Sequence, residues 1–322
     1  MSLLLNVIIF FEINIIRREE MNHILGCNQF TRESLNELLD LAEKIKKNPE
    51  EYKNSLQDKI IAVMFFEPST RTRMSFESAI LKLGGRMIVT ENGKSNSSST
   101  KGETLEDTIK VINGYADALV MRHSCDEAAE IAASVATIPV INAGSGKKEH
   151  PTQSLLDMFT IREKKGKLDD LKICFLGDLK YGRTVHSLIE LVSLYNNVEV
   201  YGLSKDVFEL PQKYIDFLAE RGITYKKCNS FDDIPKDVDV LYHTRIQAER
   251  FEGDLGKEEF IINKEVLDKF SKDTIVLHPL PRVNEISTDI DDDERAMYFK
   301  QAHNGVPIRM SVLLKVFEKN TR

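Results

Sequence analysis

The chain has 322 residues, 42% of them hydrophobic and 30% charged, and carries a formal net charge of −7. That length suits about two domains with cores of ordinary size, and that composition excludes a disordered chain. An acidic chain has no general attraction for nucleic acid or an anionic membrane, so any anion it binds must meet a local basic pocket.

The four cysteines, Cys27, Cys125, Cys174 and Cys228, lie far apart without a CxxC pair. They read as free thiols of a cytoplasmic protein and not as a disulfide framework or zinc site. The seven histidines show no HExxH spacing, so neither a metal nor a cofactor is expected. Met1–Ile16 is mostly apolar but interrupted by Asn6, Glu12 and Asn14, too short and polar to span a bilayer, and without a signal-peptide pattern. Residues 1–20 read as an N-terminal extension of unknown role, with Met21 an alternative start.

From Thr31 onward the pattern alternates helix and strand. Leu35, Leu38, Leu39, Ala42 and Ile45 recur at helical spacing behind Thr31 as N-cap. Lys59–Phe66 is a continuous apolar run, as expected of a buried parallel strand. A loop follows, then a helix over Met74–Leu83 ended by Gly84-Gly85. Strands are predicted at Met87–Thr90, Ala118–Met121 and Pro139–Asn142, with helices near Glu103–Ile112 and Asp126–Val135. Asn92–Thr100, rich in serine and flanked by Lys94 and Lys101, reads as a surface loop.

A helix over Thr152–Lys164 leads into a second array. Its predicted strands are Lys172–Leu176, Val198–Tyr201, Val238–His243 and Thr274–Leu277; its helices lie near Thr184–Tyr195, Gln212–Arg221 and Lys264–Phe270. A helix over Met310–Lys319 closes the chain. Two successive βαβ arrays imply an α/β protein of two doubly wound parallel-sheet domains, with a ligand cleft between them where the strand ends face.

Several clusters fall where such a fold binds anions. Ser69-Thr70-Arg71-Thr72-Arg73 stands directly after an apolar strand and before a helix, where unpaired N–H groups attract negative charge. Its three hydroxyls and two guanidiniums are donors of the kind a phosphate needs, more than capping alone explains. Gly177-Asp178-Leu179-Lys180-Tyr181-Gly182-Arg183-Thr184 nearly fits the nucleotide phosphate loop G-x-x-x-x-G-K-[ST], but has Arg183 where lysine belongs. A phosphate-loop nucleotide-binding protein is therefore the rival reading; the guanidinium fork suits a carboxylate better. Arg122-His123, His150-Pro151-Thr152-Gln153, Thr244-Arg245-Ile246-Gln247 and His278-Pro279-Leu280-Pro281-Arg282 complete the set, each weak by itself.

In this order, from about Met21 to the end, the clusters resemble the aspartate/ornithine carbamoyltransferase family, with Ser69–Arg73 and His278–Pro281 similar to its two signatures. The resemblance implies a carbamoyl-phosphate-binding domain over 21–150, completed by a C-terminal helix at 305–322, and an amino-acid-binding domain over 151–304. Ser69, Thr70, Arg71 and Thr72 would bind the phosphate of carbamoyl phosphate. Thr72, Arg122 and His150 would sit on its carbonyl oxygen, Gln153 beside its amide, and the carbonyls of Leu280 and Pro281 would orient it. Arg183, Arg245 and Gln247 would take the two carboxylates of L-aspartate.

The family's mobile loop reaches into a neighbouring subunit's site, which implies a homotrimer with shared sites and gives Ser97 and Lys101 that role; Lys101 would also contact aspartate. Separate regulatory chains are a further class of partner the family leaves open. Guanidinium and amide donors at Arg245 and Gln247, and proline at Pro279, favour aspartate over ornithine as acceptor.

Overall fold

The computed structural model describes residues 23–91, 102–247 and 260–318. Residues 1–20, Ser97 and Lys101 lie outside the described residues. The chain divides into two compact units. One holds the described residues up to Gln29, Asn36–Gly146 and those from Val306 on; the other holds Phe30–Leu35 and Lys147–Gly305.

In the first unit, β1 (Ile60–Phe65), β2 (Arg86–Glu91), β3 (Ala118–His123) and β4 (Val140–Ser145) form a parallel sheet in the order β2-β1-β3-β4. β1, β3 and β4 are buried over nearly their whole length, which is why they read as unbroken apolar runs. The edge strand β2 is mostly exposed, including Ile88 and Val89. Helices α1 (Arg32–Lys47), α2 (Thr70–Lys82), α3 (Leu105–Ile112) and α4 (Ala128–Val135) follow the expected alternation. At the start of α1, Ser34 N–H donates to Thr31 Oγ1 at 3.2 Å while Thr31 N–H donates to Ser34 Oγ at 3.0 Å, a reciprocal cap. Ala62, Met64, Leu119, Met121 and Val140 from the strands pack with Ile109, Ala128 and Ala132 from α3 and α4.

In the second unit, β5 (Lys172–Gly177), β6 (Glu199–Leu203), β7 (Tyr225–Cys228), β8 (Val240–Thr244) and β9 (Ile275–Leu277) are all parallel, in the order β7-β6-β5-β8-β9. Helices α5 (Pro151–Lys165), α6 (Arg183–Val192), α7 (Gln212–Glu220) and α8 (Lys264–Leu267) accompany them. α5 ends on Gly166, whose φ of 72° is the left-handed cap a glycine adopts without strain. The last helix, α9, spans Tyr298–Phe317. No described helix is long and apolar enough to cross a membrane.

Three elements differ from the sequence expectation. α2 begins at Thr70, so residues expected in a loop before Met74 form its first turn. β7 carries Lys226 and Lys227 exposed at a sheet edge, where no apolar run is needed and none announced it. α9 starts at Tyr298, well before Met310, and contains Pro307, which hid its continuity.

Candidate active site

Each sheet has one point where strand order reverses, and loops beyond the carboxyl ends of the strands flanking that point are where such sheets bind ligands. In the first unit the reversal lies between β1 and β3, with Phe65 in register with Arg122. In the second it lies between β5 and β8, with Gly177 in register with Thr244.

Beyond β1, Ser69 occupies the N-cap of α2 with extended backbone, and its side chain makes no capping hydrogen bond. The first intrahelical bond runs from Arg73 N–H to the Ser69 carbonyl at 3.2 Å. By helix geometry the turn before it presents backbone donors at the positive end of the dipole. Ser69 is half-buried, Thr70 and Arg71 are exposed, and Thr72 is buried. Ser75 Oγ donates to the carbonyls of Arg71 and Thr72 at 2.7 and 3.0 Å, bracing that turn. Arg73 pairs with Glu91 at 2.5 Å and lies 3.6 Å from Glu77, so its charge serves a local ion-pair cluster.

Arg122 comes from the end of β3, and its carbonyl accepts from Phe66 N–H at 2.9 Å. Its Nε donates to Glu67 at 2.7 Å. Glu67 immediately precedes the Pro68-Ser69 turn, so one carboxylate ties the β3 guanidinium to the phosphate-type loop.

In the second unit, the loop after β5 closes on itself. Gly177 has φ of 95°, and a Cβ there would lie 2.0 Å from the Thr244 carbonyl; one at Gly182 would lie 2.3 Å from the Asp178 carbonyl. These glycines serve close backbone packing within and beside the loop, which removes the reason to read them as a nucleotide phosphate cradle. Arg183 opens α6 and is buried. Asp178, fully buried, accepts from Tyr181 N–H at 2.8 Å and from Gln247 N–H at 3.1 Å, joining the loop after β5 to the loop after β8. Gln247 Nε2 donates to the Tyr181 carbonyl at 2.7 Å, and Arg245 Nη1 donates to the Ile246 carbonyl at 3.3 Å.

His150 is the buried N-cap residue of α5, its N–H held by Ser187 Oγ at 3.1 Å. Gln153, one turn on, donates through Nε2 to Asp157 at 2.9 Å. The loop after β9 is pinned at His278. Its N–H donates to Gln301 Oε1 at 2.8 Å, its Nδ1 accepts from Leu280 N–H at 2.8 Å, and its Nε2 meets Glu285 at 2.7 Å. Because a peptide N–H only donates, Nδ1 carries the lone pair and Nε2 the proton. Burial pushes the Glu285 carboxyl up. The His278 hydrogen bond, with the N–H groups of Glu285 and Val283, outweighs it and holds the group below the usual carboxylate range. The same loop turns at Leu280, φ 56°, before a cis bond to Pro281.

Sequence reasoning assigns no role to Glu67, Asp157, Asp178, Glu285 or Gln301. Four of them stand in or near a recognised cluster: Glu67 before Ser69, Asp178 inside the Gly177–Thr184 segment, Asp157 four residues after Gln153 in an otherwise apolar stretch, and Glu285 three residues after Arg282. Burial of a carboxylate is the signal, and it is visible only in the fold.

A two-domain α/β protein with anion-type loops at the switch point of each sheet is thus defined, and comparison makes the class specific. The family pattern for the aspartate/ornithine carbamoyltransferase carbamoyl-P binding domain matches residues 22–163, and that for the Asp/Orn binding domain matches residues 169–316. The chain is 46% identical over 306 residues to the aspartate carbamoyltransferase catalytic subunit of Methanocaldococcus jannaschii, covering 93% of this chain and 99% of the relative. It is 45% identical over 301 residues to that of Clostridium novyi, covering 91% and 97%. The solved M. jannaschii catalytic subunit superposes with a TM-score of 0.87, covering 93% of this chain and 99% of that one. Aspartate transcarbamoylase from Trypanosoma cruzi in complex with carbamoyl phosphate and aspartate does so with a TM-score of 0.86 at 37% identity, covering 93% and 98%. The chain belongs to the aspartate/ornithine carbamoyltransferase family.

Proposed function

We propose that the chain transfers the carbamoyl group of carbamoyl phosphate to the amine of L-aspartate, giving N-carbamoyl-L-aspartate and phosphate, the second step of de novo pyrimidine synthesis. The observation that carries this reading is the donor-rich first turn of α2 at the β1–β3 switch point, flanked by Arg122, in a chain matched over nearly its whole length by aspartate carbamoyltransferases. Aspartate carries two carboxylates, and the second unit offers guanidiniums at Arg183 and Arg245 beside the Gln247 amide. Ornithine would ask for acceptors in their place.

In this reading Ser69, Thr70, Arg71 and Thr72 hold the phosphate, with residues 21–150 and the C-terminal helix forming the carbamoyl-phosphate domain and 151–304 the aspartate domain. Attack of the neutral aspartate amine on the carbamoyl carbon puts negative charge on the carbonyl oxygen. Thr72, Arg122 and His150 are the donors for it, each worth about 3–4 kcal/mol of barrier when removed. The bond to the phosphate oxygen then breaks, and the amine proton leaves with the phosphate. Gln153 and the Leu280 and Pro281 carbonyls meet the carbamoyl amide. No covalent enzyme intermediate is invoked, since none of these groups is a nucleophile paired with a base.

The assembly is proposed as a homotrimer in which Ser97 and Lys101 act in a neighbour's site. The exposed apolar side chains Met74 and Leu81 on α2 and Ile88 and Val89 on β2 support a partner chain that covers them. Unbridged thiols at all four cysteines support a cytoplasmic, reducing setting.

The test is direct. Supplied with carbamoyl phosphate, the protein should form carbamoyl-aspartate and give no product with ornithine; absence of carbamoyl-aspartate would sink the proposal. Mixing an Arg122→Ala chain with a Lys101→Ala chain should restore activity if sites are shared, and no recovery would overturn sharing.

A further inference from the structure

Asp157 lies one turn after Gln153 on α5, on the same helical face, and is fully buried. A buried carboxylate is costly unless donors satisfy it, and here Gln153, Gln301 and Tyr242 donate to it. Gln153 Nε2 donates to Oδ1 at 2.9 Å, Gln301 Nε2 to the same oxygen at 2.6 Å, and Tyr242 Oη to Oδ2 at 2.9 Å.

The network fixes which way both amides point. Gln301 Oε1 accepts from the His278 N–H at 2.8 Å, and a peptide N–H only donates. The other end of that amide, facing Asp157, is therefore the NH2 group, and Oδ1 must be an acceptor. Gln153 meets the same oxygen, so it too turns its NH2 inward and its Oε1 away. No hydrogen bond to Gln153 Oε1 occurs among the described residues. From Gln301 the network passes to His278, which holds the Leu280 N–H and so the turn carrying the Leu280 and Pro281 carbonyls.

We propose that Asp157 is a positioning residue for the amide end of carbamoyl phosphate: by holding Gln153 with its NH2 inward and Gln301 against His278, it makes three acceptors of Gln153 Oε1 and the Leu280 and Pro281 carbonyls. This rests on the reaction proposed above. Its chemical logic is selection. The carbamoyl NH2 is a donor group, and acceptors set by a buried carboxylate reject an acyl phosphate whose acyl group ends in a methyl.

Acetyl phosphate, with a methyl in place of the NH2, is the probe. Binding of carbamoyl phosphate, acetyl phosphate and inorganic phosphate to the full chain is measured by calorimetry. Wild type should prefer carbamoyl over acetyl phosphate. Asp157→Leu should cut that preference by about tenfold, the loss of roughly one well-placed hydrogen bond, while inorganic phosphate binds within about twofold of wild type. Asp157→Asn, which keeps an acceptor oxygen for both glutamines, should restore most of the preference. Equal weakening of all three ligands, or an unchanged preference, would overturn the proposal.

Should Asp157→Leu not fold, Gln153→Glu puts the same question through pH. Facing Asp157, the new carboxyl must carry a proton, which raises its pKa and makes it mimic the amide. Preference for carbamoyl phosphate should be kept at low pH and lost as pH rises through that pKa; a flat profile would count against the proposal. Turnover with aspartate is assayed separately, so a wild type that keeps the preference yet makes no carbamoyl-aspartate overturns the reaction and not the positioning.

Discussion

On the proposed function the two units meet the same task, holding an anion at a switch point, by different means. In the first unit the donors are contiguous: a helix N-terminus, three hydroxyls and Arg71 within about one turn, with Thr70 and Arg71 exposed. In the second, the corresponding groups are embedded in internal hydrogen bonds. Gln247 is engaged with Tyr181, Gln153 with Asp157, and the turn at Leu280 with His278. The difference follows from the ligands. A phosphate carries dense charge that any array of convergent donors attracts. An amino acid or a carbamoyl amide must be told from near neighbours, and that requires polar groups whose direction is fixed beforehand.

The largest expected effect belongs to the group standing between these extremes. In the proposed reaction Arg122 faces the developing charge, so Arg122→Ala should lower kcat by about 10²–10³ with a modest change in KM for either substrate. Steady-state kinetics decides it. A large rise in KM with kcat intact would place Arg122 with the phosphate donors and erase its special standing.

Acid should separate the units next. Burial lowers His186 and His243, both in the second unit, to about 4. A histidine depressed on folding contributes stability above its unfolded pKa of about 6.5 that is lost as pH falls toward the folded value. Glu190, in the same unit, is raised by burial and then by Glu149 to about 7, and contributes in the opposite sense as pH falls from there. Two depressed histidines against one raised carboxyl leave the second unit weaker at pH 4 than at pH 7 by roughly 3 kcal/mol. The Glu285 pair adds a loss only lower, between the ordinary carboxylate range and about 2. Hydrogen exchange followed from pH 7 to 4 should show β5, β6 and β8 losing protection before β1 and β3. Uniform loss would mean the two units respond as one.

For the amino-acid side of the comparison, Arg245→Ala should raise KM for aspartate about 10–100-fold, the value of a charged hydrogen bond, and leave carbamoyl phosphate binding within about twofold. Equal weakening of both ligands, with a lowered melting temperature, would assign Arg245 to the scaffold.

How legible each unit was follows from the same contrast. The phosphate-type site is contiguous in sequence, so Ser69–Thr72 could be read from residue types and from the apolar run of β1 before them. Both sheets were legible for a similar reason: central strands buried on two faces must be continuous apolar runs. What escaped was either polar at an edge, as β7, or broken by a proline, as α9. The supporting carboxylates escaped because a buried Asp157 and an exposed aspartate look the same in one dimension. Gly177 and Gly182 were visible but pointed two ways; only the approach of the Thr244 and Asp178 carbonyls shows that they serve backbone packing.

The smallest expected effect is the most exacting for the first unit. Arg71 and Arg73 are two residues apart in one segment and indistinguishable by type, yet Arg73 pairs with Glu91 and lies near Glu77, while Arg71, the second residue of α2, is exposed. Arg71→Ala should weaken carbamoyl phosphate binding about 10–100-fold. Arg73→Ala should change it by less than about threefold and cost at most about 1 kcal/mol of stability, since partly exposed ion pairs contribute little. Calorimetry with carbamoyl phosphate and urea unfolding of each variant measure both quantities. Matching losses of affinity would mean that the Arg73 pairs give way to the ligand. The first unit would then be as dependent on rearranging internal contacts as the second, and the contrast between them would fail.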